Sequence, residues 1–172
     1  LGKNGIQEDV SMSGVFRVRA SGIITRDDRI LLIDCFDTFI GRHYNIPGGG
    51  VNQNEPVLDA VRRELREETG FEVKVGRLML VCEALHENAT TPDEEFHSFS
   101  LMFECQIIPG SAHHEPSQPD DYQTDIQWVP IESLPQIVLL PDIGKDLYAV
   151  LRGEQTTLPG LARHTYVPGK PL

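Results

Sequence analysis

The segment from Gly49 to Phe71, GGVNQNEPVLDAVRRELREETGF, constrains this chain more than any other. It reads as one loop, one helix and one turn. The spacing predicts a helix with Asn54 as its N-cap and Pro56 in the first turn, where a missing N–H is harmless. Gly70 is placed to end it as the glycine just past the last turn. At roughly 100° per residue, Val57, Ala60 and Val61 fall within about 60° of Glu64, and Leu65 lies at about 100°. Arg62, Arg66 and Asp59 lie on the far side. Glu64 therefore stands on the apolar stripe itself. Glu68 continues that stripe one turn on, and Glu67 borders it.

Such a placement is unfavourable for carboxylates alone. Like charges at i and i+4 repel on a helix. Desolvation adds several kcal/mol when the charge faces inward without compensation. A hard divalent cation removes both penalties, because Mg²⁺ and Mn²⁺ favour oxygen ligands. The competing reading is a solvated acidic helix end paired with Arg63 and Arg66. The phase of the apolar stripe argues against it.

The pattern Gly49, Glu55, Arg63-Glu64-Leu65, Glu67-Glu68, Gly70-Phe71 resembles the complete box of the Nudix hydrolases, with every defined position filled. The resemblance spans roughly residues 15–151 and is sharp only in the box. It implies an α/β fold, an α/β/α sandwich around a central mixed β-sheet. It implies hydrolysis of a nucleoside diphosphate linked to another group, with Mg²⁺ or Mn²⁺ as cofactor. It also implies that a carbonyl in the preceding glycine turn, at Gly48, joins Glu64, Glu67 and Glu68 in holding the metal.

Composition agrees with this chemistry without establishing it. The 172 residues, 40% hydrophobic and 24% charged, suit one globular domain. The net charge of −11 disfavours a long nucleic acid as partner and leaves a small phosphorylated nucleotide dependent on bound cations. No apolar run approaches the roughly 18 residues of a membrane span, and the first residues lack the basic-then-apolar layout expected of a signal peptide. Cys35, Cys82 and Cys105 lack a metal or redox spacing and read as buried thiols, so a cytoplasmic protein is expected. A homodimer is compatible with the sequence.

Residues 1–14 read as a flexible arm, 15–152 as the catalytic domain, and 153–172, rich in Pro and Gly, as a tail. A first strand over Phe16–Thr25 puts Phe16, Val18, Ala20, Gly22 and Ile24 on one face. Arg17 and Arg19 take the other, either solvated or reaching an anionic substrate. Ile30–Asp34 returns as a hairpin strand. Phe36–Tyr44 reads as a loop in which Arg42 and His43 are candidate substrate contacts that set preference. Strands are expected at Phe71–Val75, Arg77–Ala84, Phe96–Ile108 and Thr124–Val129, with an amphipathic helix over Asp142–Leu151. His113 and His114 read as plain loop residues, lacking a third ligand at metal spacing.

Diphosphate hydrolysis needs activated water and neutralised oxygen charge, and bound metal supplies both. Glu64 and Glu67 are the candidate catalytic carboxylates. Arg63, one turn before Glu67, is placed to hold that carboxylate, and Glu55 suits the positive helix end. The general base is open among the box glutamates, Glu94, Glu95, Asp120, Asp121 and Asp125. A catalytically silent relative that senses a nucleotide is the alternative, and the intact glutamates weigh against it. Substrate subgroup marks downstream of the box are not matched. Leu85 and His86 stand where ADP-ribose enzymes carry proline, and Glu87 and Asn88 where dinucleoside polyphosphate enzymes carry tyrosine.

Overall fold

The structure, a computed structural model, describes residues 15–86, 96–110, 123–154 and 160–166. Nine strands occur among them. They are β1 (Val15–Arg26), β2 (Arg29–Asp37), β3 (Gly41–Asn45), β4 (Gly48–Gly50), β5 (Val73–His86), β6 (Phe96–Ile107), β7 (Gln123–Pro130), β8 (Leu139–Leu140) and β9 (Gly160–Tyr166). Two helices, α1 (Val57–Thr69) and α2 (Gly144–Leu151), accompany them. The strands run in the order β8-β3-β2-β1-β6-β5-β9, with β4 paired to β1 and β7 to β2. The sheet is mixed: β1 pairs parallel with β6, while β5 and β6 are antiparallel.

Strand alternation sorts the core into two clusters. On β2, Ile30 and Leu32 point to one and Leu31 to the other. The first cluster includes Leu80, Met102 and the α2 residues Leu147 and Val150. The second holds Ala60, Val61 and Leu65 of α1 against Ala20 and Ile24 of β1. Each helix thus covers its own cluster, which is the α/β/α arrangement expected above. Gly22 is part of that fit, because a Cβ there would lie 2.6 Å from Leu65 Cδ2. The three cysteines are buried thiols outside any disulfide, as the sequence predicts.

Helix α1 ends as expected: Gly70 takes the left-handed conformation, φ 71°, and its N–H donates to the Arg66 carbonyl. Its start differs. Pro56 is the N-cap and no side chain caps the helix. Asn54 instead adopts φ 62°, a turn conformation that Asn tolerates. Glu55 takes over the local turn, its carboxylate accepting the Asn52 N–H at 2.9 Å.

Three other expectations change. Phe36–Tyr44 is not a loop: β2 continues to Asp37 and pairs back through β3, leaving a short turn between them. Phe71–Val75 and Arg77–Ala84 merge into β5, whose register against β6 shifts on either side of Leu78. Within the expected tail, Gly160–Tyr166 forms β9, parallel to β5 from Leu80 to His86. Residues 1–14 and 86–95, except for His86, and His113 and His114 lie outside the described residues.

Candidate active site

Strand β4 runs beside β1, pairing Ser21 with Gly48 and Arg19 with Gly50. This brings the glycine turn against the C-terminal half of α1. The Gly48 N–H donates to Glu68 Oε2 at 2.8 Å, and Glu68 is only 6% exposed. Gly48 has φ 148°, and a Cβ there would collide with the Ala20 carbonyl and Ser21. A Cβ on Gly49 would fall on the Glu64 carboxylate. The glycines are therefore required by contact: a side chain at Gly49 would displace Glu64, and one at Gly48 would collide with β1.

Arg63 joins the carboxylates. Its Nε and Nη2 donate to the two oxygens of Glu55, at 2.7 and 2.9 Å. Its Nη1 donates to Glu64 Oε1 at 2.7 Å and Glu67 Oε2 at 3.1 Å, and its Nη2 also reaches the Gly50 carbonyl at 3.0 Å. The guanidinium contacts hold the Glu55 carboxyl down to about 2, helped by the Asn52 backbone N–H. Arg63 itself is pushed further up, first by Glu55 and then by Glu64 and Glu67, against the opposing effect of burial. The like-charge repulsion read from the sequence is thus met within the fold, by Arg63 at Glu64 and by a backbone N–H at Glu68.

A cleft of about 330 Å³ adjoins this cluster. Arg17, Arg19, Ser21, Ser98 and Ser100 form one wall, and Ile46, Leu85, Met102, Leu140 and Pro141 supply apolar surface. Arg19 links cleft to cluster: its Nη2 donates to the Gly48 carbonyl at 3.0 Å. The sequence left Arg17 and Arg19 open between solvent and substrate, and the structure puts both on the cleft.

The NUDIX domain profile matches residues 15–152. The chain belongs to the Nudix hydrolase family. It is 36% identical over 93 residues to the ADP-ribose pyrophosphatase of Methanocaldococcus jannaschii, a match covering 54% of this chain and 52% of that protein. It therefore spans about half the length of that relative. It is 26% identical over 141 residues to the RNA pyrophosphohydrolase of Bartonella henselae, covering 73% of this chain and 79% of that one. A Nudix hydrolase from Nitrosomonas europaea shares the fold with a TM-score of 0.65 at 17% identity, covering 81% of this chain and 90% of its own.

Within this Nudix domain, Gly48, Glu64, Glu67 and Glu68 lie around one turn of α1 and the glycine strand that packs on it. Among the described residues no three carboxylate, imidazole or thiol groups converge as a ready metal cage, and Arg63 lies between those of the box. Arg42 makes a two-point contact with Asp34, Nε to Oδ1 at 2.9 Å and Nη2 to Oδ2 at 2.7 Å. His43 is buried, with Nδ1 3.0 Å from the Gly41 carbonyl. Neither is among the described residues lining the cleft. Asp125 is exposed on β7, its Oδ1 accepting the Ile126 N–H. Glu94, Glu95, Asp120 and Asp121 lie outside the described residues. A further contact is not legible in the sequence: Gln123 Nε2 donates to the Glu68 carbonyl at 3.1 Å, from 55 residues away. No local pattern signals it.

Proposed function

We propose that this Nudix hydrolase is a pyrophosphohydrolase that cleaves a phosphoanhydride in a nucleoside diphosphate linked to another group, using Mg²⁺ or Mn²⁺. The observation that carries the reading is the placement of Glu64, Glu67 and Glu68 within five residues of α1, packed against the glycine strand and beside a cleft that bears two arginines.

The residues fit a hard divalent ion. All the donors are oxygens. The space beside Gly49 that a Cβ would fill is taken by the Glu64 carboxylate. A guanidinium already bridges Glu64 and Glu67, so the fold accepts positive charge there. When bound, the metal supplies Lewis acidity to the phosphoanhydride and lowers the pKa of water.

The remaining chemistry belongs to the chain. Arg63, anchored by Glu55 and the Gly50 carbonyl, fixes the rotamers of Glu64 and Glu67. Arg17 and Arg19 face phosphate oxygens from the cleft wall, where a planar guanidinium makes paired hydrogen bonds. The apolar side of the cleft takes the base or sugar, and its serines give orienting hydroxyls. Glu67, the most exposed of the three at 21%, is suited to accept the proton of the attacking water. The relatives named as pyrophosphatases support a diphosphate-containing substrate.

The test is a panel of ADP-ribose, nucleotide sugars, dinucleotides and nucleoside triphosphates, followed by ³¹P NMR with Mg²⁺, Mn²⁺ or chelator. Release of a nucleoside monophosphate only with metal is expected. A protein that binds these compounds and hydrolyses none is the sensor alternative.

A further inference from the structure

Among the described residues, the Arg19 guanidinium has one hydrogen-bond partner, the Gly48 carbonyl. That oxygen is also the backbone donor assigned to the metal. A guanidinium stays protonated in proteins, and a divalent cation at contact distance from the same oxygen repels it. Arg19 is exposed and sits on the cleft wall, so the side chain has room to turn away. Arg17 lies two residues back on the same face, about 7 Å along the strand. It has no partner among the described residues and is available to a ligand throughout.

We propose that Arg19 guards the metal site: it holds the Gly48 carbonyl when no metal is bound, and metal binding releases it into the cleft as a phosphate contact. The inference rests on the metal reading given above. It makes one side chain a link between two ligands. The ion competes with Arg19 at the carbonyl through charge repulsion, and the displaced guanidinium then favours the substrate's phosphate. By linkage, a phosphate ligand that draws Arg19 away tightens metal binding by the same factor. Without metal, the Arg19 guanidinium keeps the Gly48 carbonyl hydrogen-bonded.

The test is calorimetric titration of Mn²⁺, without substrate, into wild type, Arg19→Met and Arg17→Met. Both variants remove one positive charge from the cleft, but only the first frees the Gly48 carbonyl. Arg19→Met is expected to bind Mn²⁺ about tenfold more tightly than wild type, the size of one charged hydrogen bond. Arg17→Met should move less than threefold. With metal saturating, a methylene-bridged ADP analogue should bind Arg19→Met about tenfold more weakly than wild type. A second measurement avoids reliance on the methionine variant. In ¹⁵N-arginine-labelled protein, the Arg19 Nε–H signal, assigned by its absence in Arg19→Lys, should shift on adding Mg²⁺ alone. Equal Mn²⁺ affinities in Arg19→Met and Arg17→Met, or an Arg19 signal unmoved by Mg²⁺ that does bind, would overturn the guard and leave the metal reading standing. Absence of metal binding to wild type would overturn both.

Discussion

Arg63 and Glu55, eight positions apart, meet through both oxygens of the carboxylate, at 2.7 and 2.9 Å. This pair fixes the guanidinium that also holds Glu64 and Glu67. Glu55, nine residues before Glu64 and outside the helix, therefore acts on the carboxylate cluster through Arg63. Glu55→Gln is expected to lower kcat by at least tenfold, with KM less affected, because misplaced carboxylates weaken the transition state more than the bound substrate. Steady-state kinetics on the preferred substrate check it.

The same pair has a pH signature. The folded Glu55 carboxyl sits at about 2, below the 4.5 of the free group, so its stabilising effect is present above the unfolded value. It is lost as pH falls from about 4.5 toward 2. The difference in Tm between wild type and Glu55→Gln should be largest near neutrality and shrink through that window. A gap that is constant with pH would mean that the Arg63 contact does not depend on the carboxylate charge.

Gly49→Ala tests how tightly the glycine strand is packed on the cluster. The new methyl would fall on the Glu64 carboxylate. Glu64 must then leave Arg63 and the proposed metal position. Activity should fall by two orders of magnitude or more, the effect of misplacing a catalytic group by about an ångström. Tm should drop by only a few degrees, since the displaced atoms end a partly exposed side chain. Collapse of Tm together with activity would identify Gly49 as a folding position alone.

Arg42 and Arg17 separate structure from recognition. Arg42→Ala leaves the buried Asp34 with Gln127 Nε2 as its remaining side-chain donor, at 2.9 Å. Stability should fall by several degrees in Tm while KM changes less than about twofold. Arg17→Met should do the reverse, raising KM about tenfold with Tm and kcat nearly unchanged. Kinetics and melting on the two variants read both. A large rise in KM for Arg42→Ala would restore the substrate contact expected from sequence.

The helix and its carboxylates were legible because their signals are local. The apolar phase placed Ala60, Val61 and Leu65 inward, and Gly70 stopped the helix where its left-handed conformation is needed. Arg63 was read as a partner of Glu67 because they are one turn apart. Its two-oxygen contact to Glu55 crosses from the helix to the preceding turn, which spacing along the helix does not signal. The Arg42–Asp34 pair is not legible in the sequence for a similar reason. Its partner Asp34 lies across the β2–β3 hairpin, and pairing register cannot be read from a segment that resembles a loop. Arg19 near Gly48 and Gln123 near Glu68 arise from strands distant in sequence. Strand β9 follows from parallel pairing with β5, which outweighs a composition typical of tails.

The central claim is that Glu68 and its neighbours bind the ion on which hydrolysis depends. Four melting curves test it most directly: wild type and Glu68→Gln, each in chelator and in millimolar Mg²⁺. A ligand that binds only the folded state adds RT ln(1 + [L]/Kd), about 2.7 kcal/mol at a hundredfold excess over Kd. Wild type should therefore melt several degrees higher with Mg²⁺. In chelator the variant should melt close to wild type, because the amide oxygen still accepts the Gly48 N–H that Glu68 accepts. Its Mg²⁺ shift should be small. Equal shifts in the two proteins would contradict the account and leave Glu68 as a structural acceptor for the glycine strand.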